Sequence, residues 1–161
     1  MMVPCREFMP VIRSALERGQ RVRMTVNGNS MAPFIRDGDV VELEPIHSLP
    51  RRGDVVLVQC KEERYVLHRV LRRADGVFFL RGDAREDWEG PFTRQDVLGQ
   101  VAVSYRNGRR CVMDGGPWRF AGLVWASYGP LGRWLLWLAV RVRAKGRGML
   151  RRLHRASILR A

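Results

Sequence analysis

Short apolar runs, separated by turn-forming residues, follow one another through most of residues 22–113. The first run alternates apolar and polar residues, as a half-buried strand does, whereas residues 55–60 are almost continuously apolar. Gly-containing turns at residues 74–76 and 107–108 are typical of hairpin connections. The predicted strands are residues 22–26, 39–44, 55–60, 64–73, 77–81, 97–105 and 110–113. About seven short strands at this spacing predict a mainly β fold, with bent antiparallel sheets or a partly open barrel.

A short N-terminal helix is predicted ahead of the strands, over residues 10–19. Pro10 suits its first turn and Gly19 its C-terminal cap. One apolar face is expected from Val11, Ile12, Ala15 and Leu16. Because no apolar run before this helix exceeds a few residues, the sequence predicts neither a signal peptide nor an N-terminal membrane anchor.

One serine, Ser30, lies on a bend between two of the predicted strands. Gly28 and Asn29 tolerate unusual dihedral angles, and Pro33 fixes φ just after the serine. Such a bend leaves the hydroxyl and the backbone N–H of the serine in open space, as a nucleophile and half an oxyanion hole require. On local chemistry alone an ordinary polar loop explains the segment better, because such loops are common.

A serine nucleophile needs a base, and the chain has three histidines. His47 lies in a proline-flanked loop and His154 in an arginine-rich stretch, so both are expected to be exposed. His68 alone lies within an apolar strand, where an imidazole must find a partner or stay neutral. The next strand ends in a turn rich in carboxylates, residues 82–87.

The cysteines and the remaining turn carboxylates carry no catalytic signal. Three cysteines without a CxxC pair or a Cys/His cluster predict neither a zinc site nor a disulfide framework, and we expect no metal or cofactor. Cys60 closes an apolar strand and is expected to be a buried, inert thiol. Structural roles in turns are expected for Asp37, Asp39 and Asp54.

Four motifs in a fixed order resemble the signal peptidase I superfamily: Ser-Met-x-Pro at Ser30, Gly-Asp-Val-Val at Gly38, His-Arg-Val at His68 and Gly-Asp at Gly82. The chain is most similar to the endoplasmic-reticulum and archaeal branch, which uses a Ser-His pair with an aspartate. The bacterial housekeeping branch and the related self-cleaving repressor peptidases have a lysine where His68 stands. The resemblance covers residues 24–103.

The resemblance implies a signal-peptidase type of fold and a role for each matching residue. Ser30 would be the nucleophile and His68 the general base and then acid. Either Asp83 or Asp87 would orient the histidine, with Asp83 favoured because it directly follows the strand. An acid-rich turn without a catalytic role is the alternative. The Ser30 N–H would hold the oxyanion and the substrate, together with the neighbouring residues Asn29 and Met31.

The positive charge is concentrated at the C-terminus. Residues 117–161 contain ten Lys or Arg residues, no acidic residue and four of the five tryptophans, whereas residues 1–116 have a net charge of only +3. This change of composition predicts a peptidase domain over residues 1–116 and a basic, Trp-rich helical tail over residues 117–161.

The tail is expected to bind a membrane surface rather than to cross a membrane. A transmembrane helix needs about 20 apolar residues, and Arg133 interrupts the apolar stretch of residues 120–140. Two short helices lying on an anionic bilayer fit this pattern, with tryptophans at the headgroups. Alternatively, residues 120–140 pack on the sheet.

The sequence therefore predicts a serine endopeptidase that removes a leader or signal segment from an extended peptide or protein substrate. It is expected in the cytoplasm or at the periphery of the membrane. The resemblance also implies that the substrate binds by strand addition, with small residues before the cleaved bond. The alternatives are a catalytically dead scaffold and a non-catalytic β-rich binding module whose basic tail binds membrane or, less in keeping with the composition, nucleic acid.

Overall fold

The strands of the computed structural model form one antiparallel sheet that carries a helix at each end of the described chain, which comprises residues 5–60, 64–113 and 115–127. The helices are α1, Cys5–Glu17, and α2, Gly116–Ser127. The strands are β1, Val22–Thr25; β2, Val40–Glu44; β3, Val55–Gln59; β4, Tyr65–Ala74; β5, Val77–Arg81; β6, Glu89–Phe92; β7, Val97–Arg106; and β8, Arg109–Val112.

The order of strands in the sheet is β1-β2-β7-β3-β4-β5-β6, and β8 pairs with β7. The predicted mainly β architecture, with bent antiparallel strands, an N-terminal helix and a C-terminal helix, is confirmed. The register shifts at Glu42/Leu43, at Leu57/Val58 and between Val70 and Arg72. Such bulges bend strands and increase their twist, which curves the open sheet.

Alternation along β4 places consecutive side chains on opposite faces of the sheet. Tyr65 and Leu67 pack against the apolar cluster that contains the buried residues of α1, whereas Val66 packs against a second cluster around Phe78. The same alternation separates the neighbouring residues His68 and Arg69, both of which are buried. The strand therefore supplies polar groups to both faces at this point.

Helix α1 begins five residues earlier than predicted, so Pro10 lies inside it rather than in its first turn. Among residues 8–17 of this helix, the buried ones are Met9, Ile12 and Leu16, at the i, i+3, i+7 spacing of one helical face. Val11 was expected on this face but is 62% exposed, because it lies about 100° around the helix from Ile12. The extra turns place Met9 in the core, which outweighs the hydrogen bond that Pro10 cannot make.

The sequence prediction missed strand β6, which pairs with β5 at the edge of the sheet. Gly90 and Pro91 lie inside β6 and hide its strand signal. An edge position tolerates proline, because one side of the strand needs no hydrogen-bond donor. The turn predicted at residues 61–63 lies outside the described residues.

The first turns of α2 pack on the rest of the domain. Trp118 contacts Phe34 edge-to-face at 6.1 Å between ring centroids, and Arg119 pairs with the buried Asp54 at 3.1 Å. The chain divides into two compact units after Leu123, whereas the change of composition placed a boundary at residue 116. None of the helices in the described residues is long and apolar enough to cross a bilayer. Most of the predicted tail, residues 128–161, lies outside the described residues.

Candidate active site

The bend that carries Ser30 is a loop closed at its base by backbone hydrogen bonds. Val26 N–H donates to Asp39 O at 2.8 Å, and Gly38 N–H donates to Val26 O at 2.9 Å. Within the loop, Gly28 N–H donates to the Asp37 carboxylate at 2.7 Å, with φ at +95°, a region that favours glycine. The loop therefore presents Ser30, which is half-buried, in a fixed conformation.

The two residues beside Ser30 hold the loop in place. The side-chain oxygen of Asn29 accepts a hydrogen bond from Asp37 N–H at 3.3 Å. The Met31 side chain is 1% exposed and lies in the apolar core. Met31 can thus assist at an oxyanion hole only through its backbone, whereas the hydrogen bond of Asn29 uses its side-chain oxygen and not its NH₂ group; both roles stay predictions.

His68 and Ser30 converge on Gly82. A β-carbon on Gly82 would lie 3.1 Å from His68 Nε2 and 2.6 Å from the Ser30 carbonyl oxygen. The following turn holds the serine loop directly, since Ala84 N–H donates to Ser30 O at 2.9 Å. Glycine at this position lets the imidazole and the serine loop approach the same point. The structure thus brings together the two residues to which the sequence analysis assigned the nucleophile and the base.

The other ring nitrogen of His68 is held by Glu89. Nδ1 lies 2.8 Å from Glu89 Oε2, and the second oxygen of Glu89 accepts a hydrogen bond from Arg64 at 3.1 Å. Because an ionised carboxylate only accepts hydrogen bonds, the proton of the neutral imidazole lies on Nδ1. Nε2 therefore keeps its lone pair and can accept a proton on the side of Gly82.

Burial lowers the pKa of His68 below its usual value, and the charge of Glu89 partly opposes this shift. The net effect keeps the imidazole neutral around pH 7. A neutral imidazole is the form that accepts a proton from a serine hydroxyl.

Asp83 is the partner of Arg69. Arg69 Nε and Nη2 donate to the two carboxylate oxygens of Asp83, each at 2.7 Å, and Nη1 donates to Gly53 O at 2.8 Å. Both side chains are almost completely buried. Burial raises the pKa of Asp83, and the hydrogen bonds from Arg69 oppose this shift. The geometry indicates an anchor for the turn at Gly82.

Asp87 lies at the surface, with its side chain 73% exposed and paired with Arg85 at 2.8 Å. The carboxylate that the structure places on His68 is Glu89, two residues further along the same acidic stretch. The sequence analysis missed Glu89 because it missed β6. Had that strand been recognised, its pairing with β5, with Glu89 opposite Leu80, would have placed this carboxylate beside the end of β5.

The other polar residues singled out in the sequence lie in structural contacts or at the surface. Asp39 pairs with Arg106 at 2.6 Å, and Asp54 pairs with Arg119, in agreement with the structural roles expected for these turn carboxylates. His47 is exposed, as expected. Cys60 is half-buried and burial raises the pKa of its thiol, which disfavours the thiolate. Among the described residues, no three His, Cys, Asp or Glu side chains are grouped to hold a metal ion.

A comparison with protein families matches residues 4–96 to the Peptidase S24-like family. The chain belongs to this family. The matched segment contains Ser30, His68, Asp83 and Glu89, and it ends just before β7. No curated protein matches the chain. Membership supports the superfamily predicted from the motifs and a serine-peptidase type of fold, while the Ser-His branch and the catalytic roles stay predictions.

The buried Asp83 and the exposed Asp87 should differ sharply in their contribution to stability. We expect Asp83→Asn to lower the free energy of unfolding by about 3 kcal/mol, because it leaves the buried Arg69 charge without its counter-charge. Asp87→Asn, the matched control, should change it by less than about 0.5 kcal/mol, since its ion pair is exposed. Urea unfolding followed by tryptophan fluorescence measures both. Equal effects would contradict the anchoring role of Asp83.

Proposed function

We propose that the chain is a serine endopeptidase in which Ser30 is the nucleophile, His68 the general base and Glu89 the carboxylate that orients the histidine. The observation that carries this proposal is the convergence of the Ser30 loop and His68 Nε2 on Gly82, with Glu89 on the opposite ring nitrogen. Family membership supports a peptidase function for this arrangement. A catalytically dead scaffold with the same fold is the competing hypothesis.

The chemistry follows the order of proton transfers in a serine acyl transfer. Nε2 of His68 takes the hydroxyl proton while Ser30 Oγ forms a bond to the carbonyl carbon of the substrate. The imidazolium then gives this proton to the leaving amine as the peptide bond breaks. Water attacks the acyl-enzyme by the same route and regenerates Ser30. Glu89 stabilises the imidazolium and keeps Nε2 directed towards the serine loop.

An extended peptide fits the sheet edge next to His68. Residues Tyr65 to His68 of β4 pair with β3 on one side, but pairing with β5 begins only at Arg69. In the described part of the chain, no strand covers the other edge of these four residues. A substrate strand added there would bring its backbone past His68, with main-chain hydrogen bonds supplying affinity.

A cleft of about 820 Å³ lies next to the start of β4, at Arg64. Its lining includes Arg64 and Glu89, which connect it to the histidine, and Trp88 and Phe92, which offer apolar contacts. We propose that the cleft accepts substrate side chains and that the substrate is a peptide or protein with a cleavable leader. Leader removal is the activity that the superfamily resemblance implies.

Loss of either member of the Ser-His pair should abolish cleavage. We expect Ser30→Ala and His68→Ala each to remove activity on a peptide substrate, with the double variant hardly worse than either, because the two residues act as a unit. Wild-type activity should rise with pH and reach half its maximum below pH 6.5, since burial lowers the pKa of His68 and only the neutral imidazole acts as a base.

Initial rates against pH, with unfolding curves for each variant, measure these effects. Wild-type cleavage by a folded Ser30→Ala protein would falsify the nucleophile assignment. A folded wild-type chain that cleaves no peptide presented to it would favour the scaffold.

Replacing Glu89 with glutamine should turn the histidine towards the wrong tautomer. Arg64 is a donor only, so the amide oxygen of the glutamine should face Arg64 and its NH₂ group should face His68 Nδ1. The proton then moves to Nε2, and turnover should fall by roughly two to four powers of ten with the fold intact. Asp87→Asn is the matched control with the same change of charge, and it should leave turnover nearly unchanged.

A second variant tests whether the wrong tautomer causes this loss of turnover. Adding Arg64→Ala to the Glu89→Gln variant frees the amide to rotate and should recover part of the lost rate. A milder effect of Glu89→Gln than of Asp87→Asn would return the orienting role to Asp87. Measurement of kcat for the wild type and these three variants on one peptide decides between these outcomes.

We further propose that residues 128–161 bind an anionic membrane surface. They contain nine Lys or Arg residues, no acidic residue, and Trp134 and Trp137. Each basic residue near an anionic bilayer contributes about 1 kcal/mol, and inserted tryptophans add apolar burial.

Removal of the basic segment should abolish membrane binding without loss of the peptidase fold. We expect the full chain to sediment with anionic liposomes, with binding that salt weakens but does not abolish, and a chain ending at Ser127 to stay in the supernatant. The truncation is placed at Ser127 rather than at Gly116 because α2 covers Phe34 and Asp54. Equal sedimentation of both chains would contradict the proposal, and salt-sensitive retention on DNA instead of liposomes would favour the nucleic-acid-binding alternative.

A further inference from the structure

Helix α2 touches the buried guanidinium of Arg69 at a position that only glycine fits. A β-carbon on Gly122 would lie 2.7 Å from Arg69 Nε and closer still to Arg69 Cζ. Contacts this short do not occur between real atoms, so any side chain at residue 122 must displace the guanidinium or the helix.

The guanidinium has little freedom to move aside. Arg69 is 0% exposed, donates three hydrogen bonds to Asp83 and Gly53, and lies 5.1 Å from the ring centroid of Phe34. An arginine head group on the surface would swing away from an intruding methyl group at low cost. Here any movement breaks charge-assisted hydrogen bonds in a buried site, where they are strongest.

Arg69 is also linked directly to the residues that position Ser30 and His68. It directly follows His68 on β4, and its partner Asp83 stands between Gly82 and Ala84. Gly82 is the point on which His68 Nε2 and Ser30 converge, and Ala84 N–H holds the Ser30 carbonyl oxygen. A shift of the guanidinium therefore reaches the serine loop through the Asp83 turn.

We infer that helix α2 is a positioning element of the active site. Gly122 lets the helix pack directly against the guanidinium of Arg69, which fixes the Gly82 turn between Ser30 and His68. Helix α2 lies outside the segment matched by the family, so this contact is added to the matched part of the chain. The effect on catalysis rests on the proposed peptidase function, whereas the link from Gly122 to His68 does not.

Gly122→Ala tests this inference, with Gly116→Ala as its matched control. A β-carbon on Gly116, in the same helix, meets no atom within 4 Å. Alanine favours helix over glycine, so a loss on Gly122→Ala cannot come from helix propensity. We expect Gly122→Ala to lower kcat by about a hundredfold, as a misplacement of about 1 Å can do, with KM little changed. Gly116→Ala should leave both constants as in the wild type.

Two measurements by nuclear magnetic resonance do not depend on activity. Gly122→Ala should change the titration of the His68 imidazole and speed hydrogen exchange at the Ala84 amide by about tenfold or more, whereas Gly116→Ala should change neither. If both signals respond but the wild-type chain cleaves nothing, the peptidase proposal fails and the positioning link stands. If Gly122→Ala matches Gly116→Ala in both signals, the inference is overturned.

A double-mutant comparison covers the case in which Gly122→Ala does not fold. Arg69→Lys keeps the charge opposite Asp83 but replaces the rigid planar head group with a single flexible ammonium group, which can move away from the methyl group. Gly122→Ala should therefore lower the free energy of unfolding much less in the Arg69→Lys background than in the wild type. Equal losses of stability in both backgrounds would show that the methyl group clashes elsewhere, and would overturn the inference.

Discussion

The ion pair between Arg69 and Asp83 is the interaction on which the arrangement of the site depends. Two buried charges are stable only when their geometry is close and their remaining hydrogen-bonding groups are satisfied. Here both oxygens of Asp83 accept from Arg69, and the third bond of the guanidinium goes to Gly53 O. The pair thus connects β4, the turn before β3 and the turn after β5. It holds the Gly82 turn, which His68 Nε2 also approaches.

Two carboxylates close to each other in the chain take different roles because their surroundings differ. Asp83 is buried against a permanent cation and serves as an anchor. Glu89 is partly exposed and lies between His68 and Arg64, so it can stabilise a charge that forms on the imidazole. Burial also lowers the pKa of His68, and together with the contact to Glu89 it leaves a neutral imidazole whose Nε2 faces Gly82.

Two elements that follow the family match, β7 and α2, contribute to the arrangement of the site. The Ser30 loop connects β1 to β2, and His68 lies on β4. Strand β7, which follows the matched residues, pairs with both β2 and β3 and joins these two parts of the sheet. Helix α2 then covers Arg69 through Gly122. The relative position of Ser30 and His68 therefore depends on elements beyond the family match.

The sequence alone determined the mainly β fold, the Ser30 bend and the place of His68 within a strand, because period, turn residues and an isolated polar group in an apolar strand are local signals. It did not determine which carboxylate meets the histidine. Asp83 and Asp87 are close to the motif in the chain, but Glu89 lies on β6, whose Gly90 and Pro91 obscure its strand character. Glu89 reaches the histidine because β6 pairs with β5. Asp83 is bound by Arg69 instead. Both are contacts between distant residues, and no local pattern encodes their register.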